Sequence, residues 1–301
     1  METSMSASQI AILADRGVVS VTGEDARPFL DNLITNDMDG LDAQPAIHAA
    51  LLTPQGKILF EFFVVPHGDG FLLDTSRETA PDLVKRLSLY RLRAKVSVSD
   101  LSQSRVVVAV WGGPPPEMPL SVAYPDPRAP GLGHRLIMSP EAARSLAGEG
   151  EGESRAAYDR HRIALGVPEA GRDYALGDTF PHEAGFDRLA GVSFTKGCFV
   201  GQEVVARMQH KTVVRKRVAR IAAAGADAIA TGADVKIGEA VIGRVGTVDG
   251  GRGLALLRLD RAVEAAAKGQ QLTAGEVPIA VDEEMLSAYE AAAKARAANT
   301  L

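Results

Sequence analysis

Cysteine occurs once in 301 residues, tryptophan once and histidine six times. A single cysteine excludes an intramolecular disulfide and a self-contained zinc-finger array. It also cannot fill the four protein positions of an ordinary iron–sulfur cluster, so any such cluster would be shared with another chain or completed by other ligands. No apolar run reaches the length that spans a bilayer. Residues 1–20 lack a basic start followed by a secretory hydrophobic stretch, and with Glu2 and no arginine before Arg16 they make a poor transit peptide. The expectation is a cytoplasmic protein. An excess of positive charge is also lacking: the net is −5 with pI near 5.7, which argues against wholesale nucleic-acid or membrane binding. What remains is ordinary globular composition, 46% hydrophobic and 24% charged, in a chain long enough for two or three domains.

The lone cysteine has a distinctive setting. In Thr195-Lys196-Gly197-Cys198-Phe199-Val200-Gly201-Gln202-Glu203 it lies between two glycines, with Lys196 two residues upstream. Glycine admits backbone geometries and close approaches that other residues resist, so this run can present a thiol on an exposed turn. Gln202 to Lys211 predicts a helix with Val204, Val205 and Met208 on one face. A helix N-terminus and a nearby cation both favour the thiolate, which makes Cys198 and Lys196 the candidate reactive pair. The alternative is that Cys198 is a small core residue.

In chain order, Gly17–Val21 predicts a strand, followed by a helix with Asp25 as N-cap and Phe29, Leu30, Leu33 and Ile34 as its buried face. A hairpin over His48–Leu52 and Ile58–Val65 turns at Thr53–Lys57. Phe71–Asp74, Lys95–Val98 and Arg105–Trp111 read as strands and Thr79–Tyr90 as a helix, an alternation that suits an α+β or α/β arrangement. Residues 112–133 hold seven of the 16 prolines and read as a stiff connector without an element. Pro140–Leu146 is helical, residues 148–152 form a solvated loop, and Ser154 can cap a helix to Leu165. From Val213 short apolar segments punctuated by glycine predict a small barrel or sandwich, ahead of an alanine-rich helix over Glu283–Ala298.

Laid out this way, the chain resembles the YgfZ-type folate-binding proteins, relatives of the glycine-cleavage T-protein. The specific match is Lys196-Gly197-Cys198-Phe199-Val200-Gly201-Gln202-Glu203. Thr35-Asn36-Asp37, Leu51–Leu59, Arg162–Gly171, Asp187–Leu189, Gly191–Phe194 and Gly243–Val248 support it, and only the proline-rich connector falls outside. The resemblance implies an α+β, T-protein-like cloverleaf: two interwoven α/β units over residues 1–210 and a C-terminal β-barrel with a terminal helix over 211–301, around a central folate-sized hole. It implies a factor that helps to assemble, insert or repair [4Fe-4S] clusters through one thiol. The cluster would be ligated by Cys198 only together with a partner chain. An A-type carrier and [4Fe-4S] clients are the implied partners, and the protein would be a monomer or a transient dimer.

The implied cofactor is tetrahydrofolate. A pterin offers two adjacent N–H donors that one carboxylate can accept, and Glu169 occupies the place where T-protein relatives carry a pterin-binding glutamate. Glu183 is a second candidate, and Asn36 follows from the Thr-Asn-Asp match. The anionic glutamyl tail needs cations. Residues 204–226 hold six, among them Arg207, Arg215 and Arg217, and no acid. A solvated helix and strand face explains the same charges without a ligand.

One departure separates the relatives. Where the aminomethyl-transferring T-proteins carry adjacent aspartates, one of them catalytic, this chain has Phe60-Glu61. Phenylalanine cannot shuttle a proton, and the longer glutamate shifts the carboxylate. No nucleophile elbow surrounds Ser193, no phosphate-binding loop is present, and a Cys198–His210 protease pairing lacks an oxyanion arrangement. Three functions therefore stand. In order they are a folate-dependent iron–sulfur maturation factor, a tetrahydrofolate-dependent aminomethyltransferase, and a non-catalytic adaptor whose basic segment docks RNA or an acidic protein.

Overall fold

The computed structural model describes residues 8–148 and 155–298. Of the loop expected over 148–152 only Gly148 is among them, and the Ser154 cap lies outside. Contact density divides the chain into two compact units: residues 1–54, 58–158 and 188–200 in the first, and 55–57, 159–187 and 201–301 in the second. The boundary expected near 210 falls within the second unit.

The first unit holds two antiparallel sheets. One has the order β3 (Ile47–Leu52), β4 (Ile58–His67), β5 (Gly70–Ser76), β2 (Arg16–Thr22), β6 (Ser97–Asp100). The other runs β1 (Gln9–Leu13), β7 (Val106–Trp111), β9 (His134–Met138), β8 (Val122–Pro125). Of the two arrangements expected, the antiparallel pairing selects α+β. β4 explains itself by period two: Phe60, Phe62 and Val64 enter the core under helices α1 (Ala26–Asp31) and α2 (Ala80–Tyr90), while Phe63 and Val65 enter a second core with Val107, Trp111 and Tyr124. Both faces are covered, so the strand reads as a continuous apolar run. The expected α1 face, Phe29, Leu30, Leu33 and Ile34, is buried in the first of these cores.

Two expectations are corrected here. Residues 112–133 are not elementless, because β8 lies among them; Pro125 is tolerated there since β8 is an edge strand bonded only to β9. Asp25 holds the N-cap position of α1 but makes no side-chain cap; its Oδ2 accepts instead from the backbone N of Lys95 at 2.7 Å.

Helix α3 (Pro140–Ala147) belongs to the first unit, and α4 (Arg155–Ala164) begins in the first and ends in the second. In the second unit, α5 (Gln202–Lys211) has the predicted bounds, with Gly201 as N-cap at φ 81°, a conformation that suits glycine. Strands β10 (Lys216–Ala223), β11 (Asp234–Ile237), β12 (Ala240–Asp249), β13 (Arg252–Arg258), β14 (Leu272–Ala274) and β15 (Val277–Val281) close a six-stranded barrel in the order β10-β13-β12-β11-β14-β15. Its core includes Val235, Val245, Leu257 and Ile279. Helix α6 (Leu259–Ala267), absent from the sequence reading, plugs one side of that core with Leu259, Ala262 and Ala265. The terminal helix α7 (Glu283–Ala298) follows as expected.

Candidate functional site

The lone thiol is exposed, so Cys198 is not a core residue. The segment that presents it is anchored immediately upstream. The polar segment after α1 acts as a clamp: Thr35 Oγ1 donates to Gly191 O at 2.6 Å, its carbonyl accepts from Ser193 N at 3.0 Å, and Asn36 Nδ2 donates to Ala190 O at 2.7 Å and His48 O at 2.8 Å. His48 lies between two acceptors, Leu189 O at 3.1 Å from Nδ1 and Glu61 Oε1 at 3.0 Å from Nε2. Downstream, Val200 packs on the α1–β4 core. The apex is bare by contrast: a Cβ added at Gly197 would meet nothing within 4 Å.

Lys196 does something other than flank the thiol. Its Nζ lies 2.6 Å from Asp31 O, 3.1 Å from Asp31 Oδ1, 3.1 Å from Ile34 O and 2.7 Å from Asn36 O. The ammonium thus closes the carbonyl end of α1, where a cation meets the helix dipole. Burial lowers its pKa, against the opposing pull of Asp31. The cation expected beside the sulfur is spent on the base of the loop.

Glu61 sits behind that base, on the face of β4 that it shares with Phe63. Burial alone would raise its pKa, but the His48 hydrogen bond and charge, helped by Arg128 and Arg16, bring it down to about 2. It borders a buried charge cluster that no sequence motif announces. Arg135 reaches Asp74 and Asp126, both at 2.9 Å; Arg16 bonds Asp74 at 2.6 Å and Arg128 bonds Asp126 at 2.8 Å. Three guanidiniums, those of Arg16, Arg128 and Arg135, lie 4.4–5.6 Å from the Phe63 ring centroid. Lone acids inside apolar strands, Glu61 in β4 and Asp74 in β5, were the available signal. Phe60, by contrast, is a core residue, 6% exposed.

The second unit holds the folate candidates. Glu169 is buried in a cluster with Arg162, Arg172, Asp159 and Asp173. Arg162 binds Asp159 at 2.7 Å, Asp173 at 2.6 Å and Thr247 Oγ1 at 2.5 Å. Burial opposes its charge, but Glu169, Asp173 and Asp159 together raise its pKa. The Glu169 carboxylate lies farther out, its Oε2 3.7 Å from Arg162 and 3.5 Å from Arg172. Gly246 makes this possible, since a Cβ there would fall 2.5 Å from Asp173 Oδ1. Glu183 serves a local turn, accepting from Phe180 N at 2.9 Å.

The basic segment divides. Arg217 forms a bidentate pair with Asp187 at 2.8 and 2.7 Å, and Arg220 pairs with Asp282. Among the described residues no acid pairs with Arg207, Lys211, Arg215 or Lys216, and Arg207 and Arg215 are exposed. Tertiary structure therefore supplies, from distant positions, two of the acids that the local sequence lacks. No group of three or more histidine, cysteine, aspartate or glutamate side chains among the described residues could hold a metal ion.

Comparison with known proteins gives the following. Residues 215–285 match the family model of the CAF17 C-terminal β-barrel domain. The iron–sulfur cluster assembly factor IBA57 of Mus musculus is 32% identical over 281 residues, covering 82% of this chain and 76% of that protein. Its Homo sapiens counterpart is 34% identical over 228 residues, 68% of this chain and 64% of that protein. The Mycosarcoma maydis homologue is 35% identical over 226 residues, 70% of this chain and 56% of that protein. The chain thus spans little more than half the length of the fungal relatives. In structure it resembles the glycine cleavage system aminomethyltransferase T of Bartonella henselae, with TM-score 0.72 and 17% identity, over 92% of this chain and 85% of that one. The fold is therefore T-protein-like, mixed α and β with a C-terminal barrel. Of the resemblance expected from the cysteine motif, these relatives carry the iron–sulfur assembly half. They overturn the cytoplasmic expectation: the IBA57 relatives are named mitochondrial. That expectation rested on the composition of residues 1–20, which reports on a leader and not on a compartment.

Proposed function

The chain belongs to the family of the iron–sulfur cluster assembly factor IBA57, and on that premise we propose that it assists iron–sulfur cluster assembly on client proteins through the thiol of Cys198. The observation that carries this reading is the contrast between a bare Cys198 and the clamped segment just before it. A thiol that must meet a second protein needs access, and one that must meet it in a defined orientation needs a fixed base. The cluster is cargo. One thiolate supplies one of its ligands, so the others come from a cysteine-bearing A-type carrier, a client, or a transient second copy. Lys196 acts as a positioning residue by holding the loop to α1.

Tetrahydrofolate is part of the proposal. The donor pair of a pterin suits the Glu169 carboxylate, and the exposed, unpaired Arg207 and Arg215 suit the glutamyl carboxylates. Arg217, already bidentate to Asp187, and Asn36, whose amide hydrogens go to His48 O and Ala190 O, do not suit that role. Bound folate would bring one-carbon chemistry; this chain's part is to hold it. Aminomethyl transfer is disfavoured, because Phe60 lies in the core and Glu61 is engaged by His48. An adaptor docking RNA or an acidic protein through Arg207 to Lys216 is the remaining alternative.

The test is transfer of a reconstituted [4Fe-4S] cluster from an A-type carrier to an apo-client. Cys198→Ser should abolish the contribution of this protein while leaving its unfolding midpoint and folate affinity unchanged. Full activity of that variant sinks the mechanism. Calorimetry checks the folate clause separately: Glu169→Ala should weaken tetrahydrofolate binding by about 1–3 kcal/mol, and an unaffected affinity removes Glu169 from the site.

A further inference from the structure

The turn that follows α2 is used by nothing described so far. α2 buries Leu83 and Leu87, yet Leu89 is 71% exposed and Leu92, just past the helix, is 89% exposed. Leu92 also has φ 46°, in the left-handed region that a bulky residue seldom adopts. Such a conformation persists only where the surroundings over-determine it. Here they do. Arg91 N bonds Leu87 O at 3.1 Å and Ala94 N bonds Arg91 O at 2.8 Å. Beyond the tip, Lys95 is held twice, its N by Asp25 at 2.7 Å and its Nζ by Glu24 at 2.6 Å. Gly23, at φ 116°, completes the cradle, since a Cβ there would fall 2.1 Å from Lys95 O. The turn is a rigid mount that carries two leucines out of the protein.

Its charge is one-sided. From Leu83 to Ser99 there are five lysines and arginines and no acid. Lys85 and Lys95 are neutralised by Asp82 and Glu24. Among the described residues no acid pairs with Arg86, Arg91 or Arg93, all exposed. A chain of net charge −5 thus shows, at its two bare leucines, three guanidiniums without an acid, one of which, Arg91, also donates to Val96 O at 3.3 Å.

We propose that the turn between α2 and β6 docks this protein peripherally on an anionic phospholipid surface. Guanidiniums take phosphate oxygens in bidentate fashion, and leucines beside them gain by leaving water for the headgroup–acyl boundary. A fluid layer receives projecting side chains without a preformed cavity; an acidic protein would have to supply one. No helix among the described residues is long and apolar enough to cross a membrane, so the contact is with the surface.

The experiment is flotation of the full chain with two kinds of vesicle: phosphatidylcholine alone, and phosphatidylcholine with phosphatidylserine in equal parts. The protein should float with the anionic vesicles only, and less as salt is raised. The double variants Leu89→Ser/Leu92→Ser and Arg91→Glu/Arg93→Glu should each lower the bound fraction about tenfold. Because these side chains are exposed, the unfolding midpoint should stay where it is, and a neutral control, Ser88→Ala, should float like the wild type. Absence of flotation, equal flotation with neutral vesicles, or indifference to both double variants overturns the proposal. A wild type that ignores vesicles but binds a polyglutamate peptide through the same arginines overturns it in favour of an acidic protein partner.

Discussion

Glu61 in the first unit and Glu169 in the second are buried to nearly the same degree, 4% and 3% exposed, but their surroundings differ. Glu61 accepts a 3.0 Å hydrogen bond from the His48 side, with Arg128 at 3.9 Å, in a cluster where arginines and carboxylates alternate. Glu169 faces Arg162 and Arg172 at 3.7 and 3.5 Å, in a cluster that also contains Asp159 and Asp173. Two guanidiniums there meet three carboxylates. Glu61 is thus held by a short hydrogen bond, whereas the guanidiniums beside Glu169 stand back at 3.5–3.7 Å.

The sharpest way to break the comparison is at the centre of the first cluster. Arg135→Met leaves Asp74 and Asp126 each short of a buried partner, and denaturant unfolding should show a loss of about 3–5 kcal/mol. A loss under about 1 kcal/mol would mean that this cluster is not structural.

Next is Glu61. Its folded pKa lies at about 2 against an ordinary 4.5, so its contribution is complete above the unfolded value and is lost as pH falls from 4.5 toward 2. That shift corresponds to about 3 kcal/mol at neutral pH. Glu61→Gln should remove it and flatten the acid limb of a stability-versus-pH curve in that window. An unchanged limb would assign the acid sensitivity elsewhere.

Lys196 extends the comparison to a cation held as Glu61 is held, by an inward cage. Lys196→Met strips partners from the carbonyls of Asp31, Ile34 and Asn36 and should cost about 1–3 kcal/mol. It should also raise amide exchange across residues 189–198. Exchange confined to α1 would remove Lys196 as the anchor of the thiol loop.

The smallest effect is expected at Glu169. Glu169→Gln keeps the shape of the side chain and gives up only guanidinium contacts at 3.5–3.7 Å, so stability should change by less than about 1 kcal/mol while tetrahydrofolate affinity falls. If the variant unfolds as readily as Glu61→Gln, Glu169 is part of the framework.

Much of this was legible in order along the chain. The bounds of α5, the buried face of α1, the β3–β4 hairpin and the presence of a barrel follow from periodicity and turn chemistry, which are local. So does the setting of Cys198 between Gly197 and Gly201. Helix α6 was missed because it follows β13 with no turn residue between them, and its N-cap, Arg258, makes no capping bond. β8 was missed because Pro125 is a breaker everywhere except at the edge that it occupies.

By itself, then, the amino-acid sequence determined many of the helices and strands, that the chain has one thiol, and that it resembles iron–sulfur maturation factors. Tertiary structure decided where each charge is spent. Lys196 looks like a neighbour of Cys198 in the sequence and belongs to α1 in the fold. Arg217 looks free among its local residues and is taken by Asp187, thirty positions away. The reason is physical: hydrophobic periodicity is written within a few residues, whereas an ion pair or a hydrogen bond is chosen by whichever partner the folded chain brings within about 3 Å.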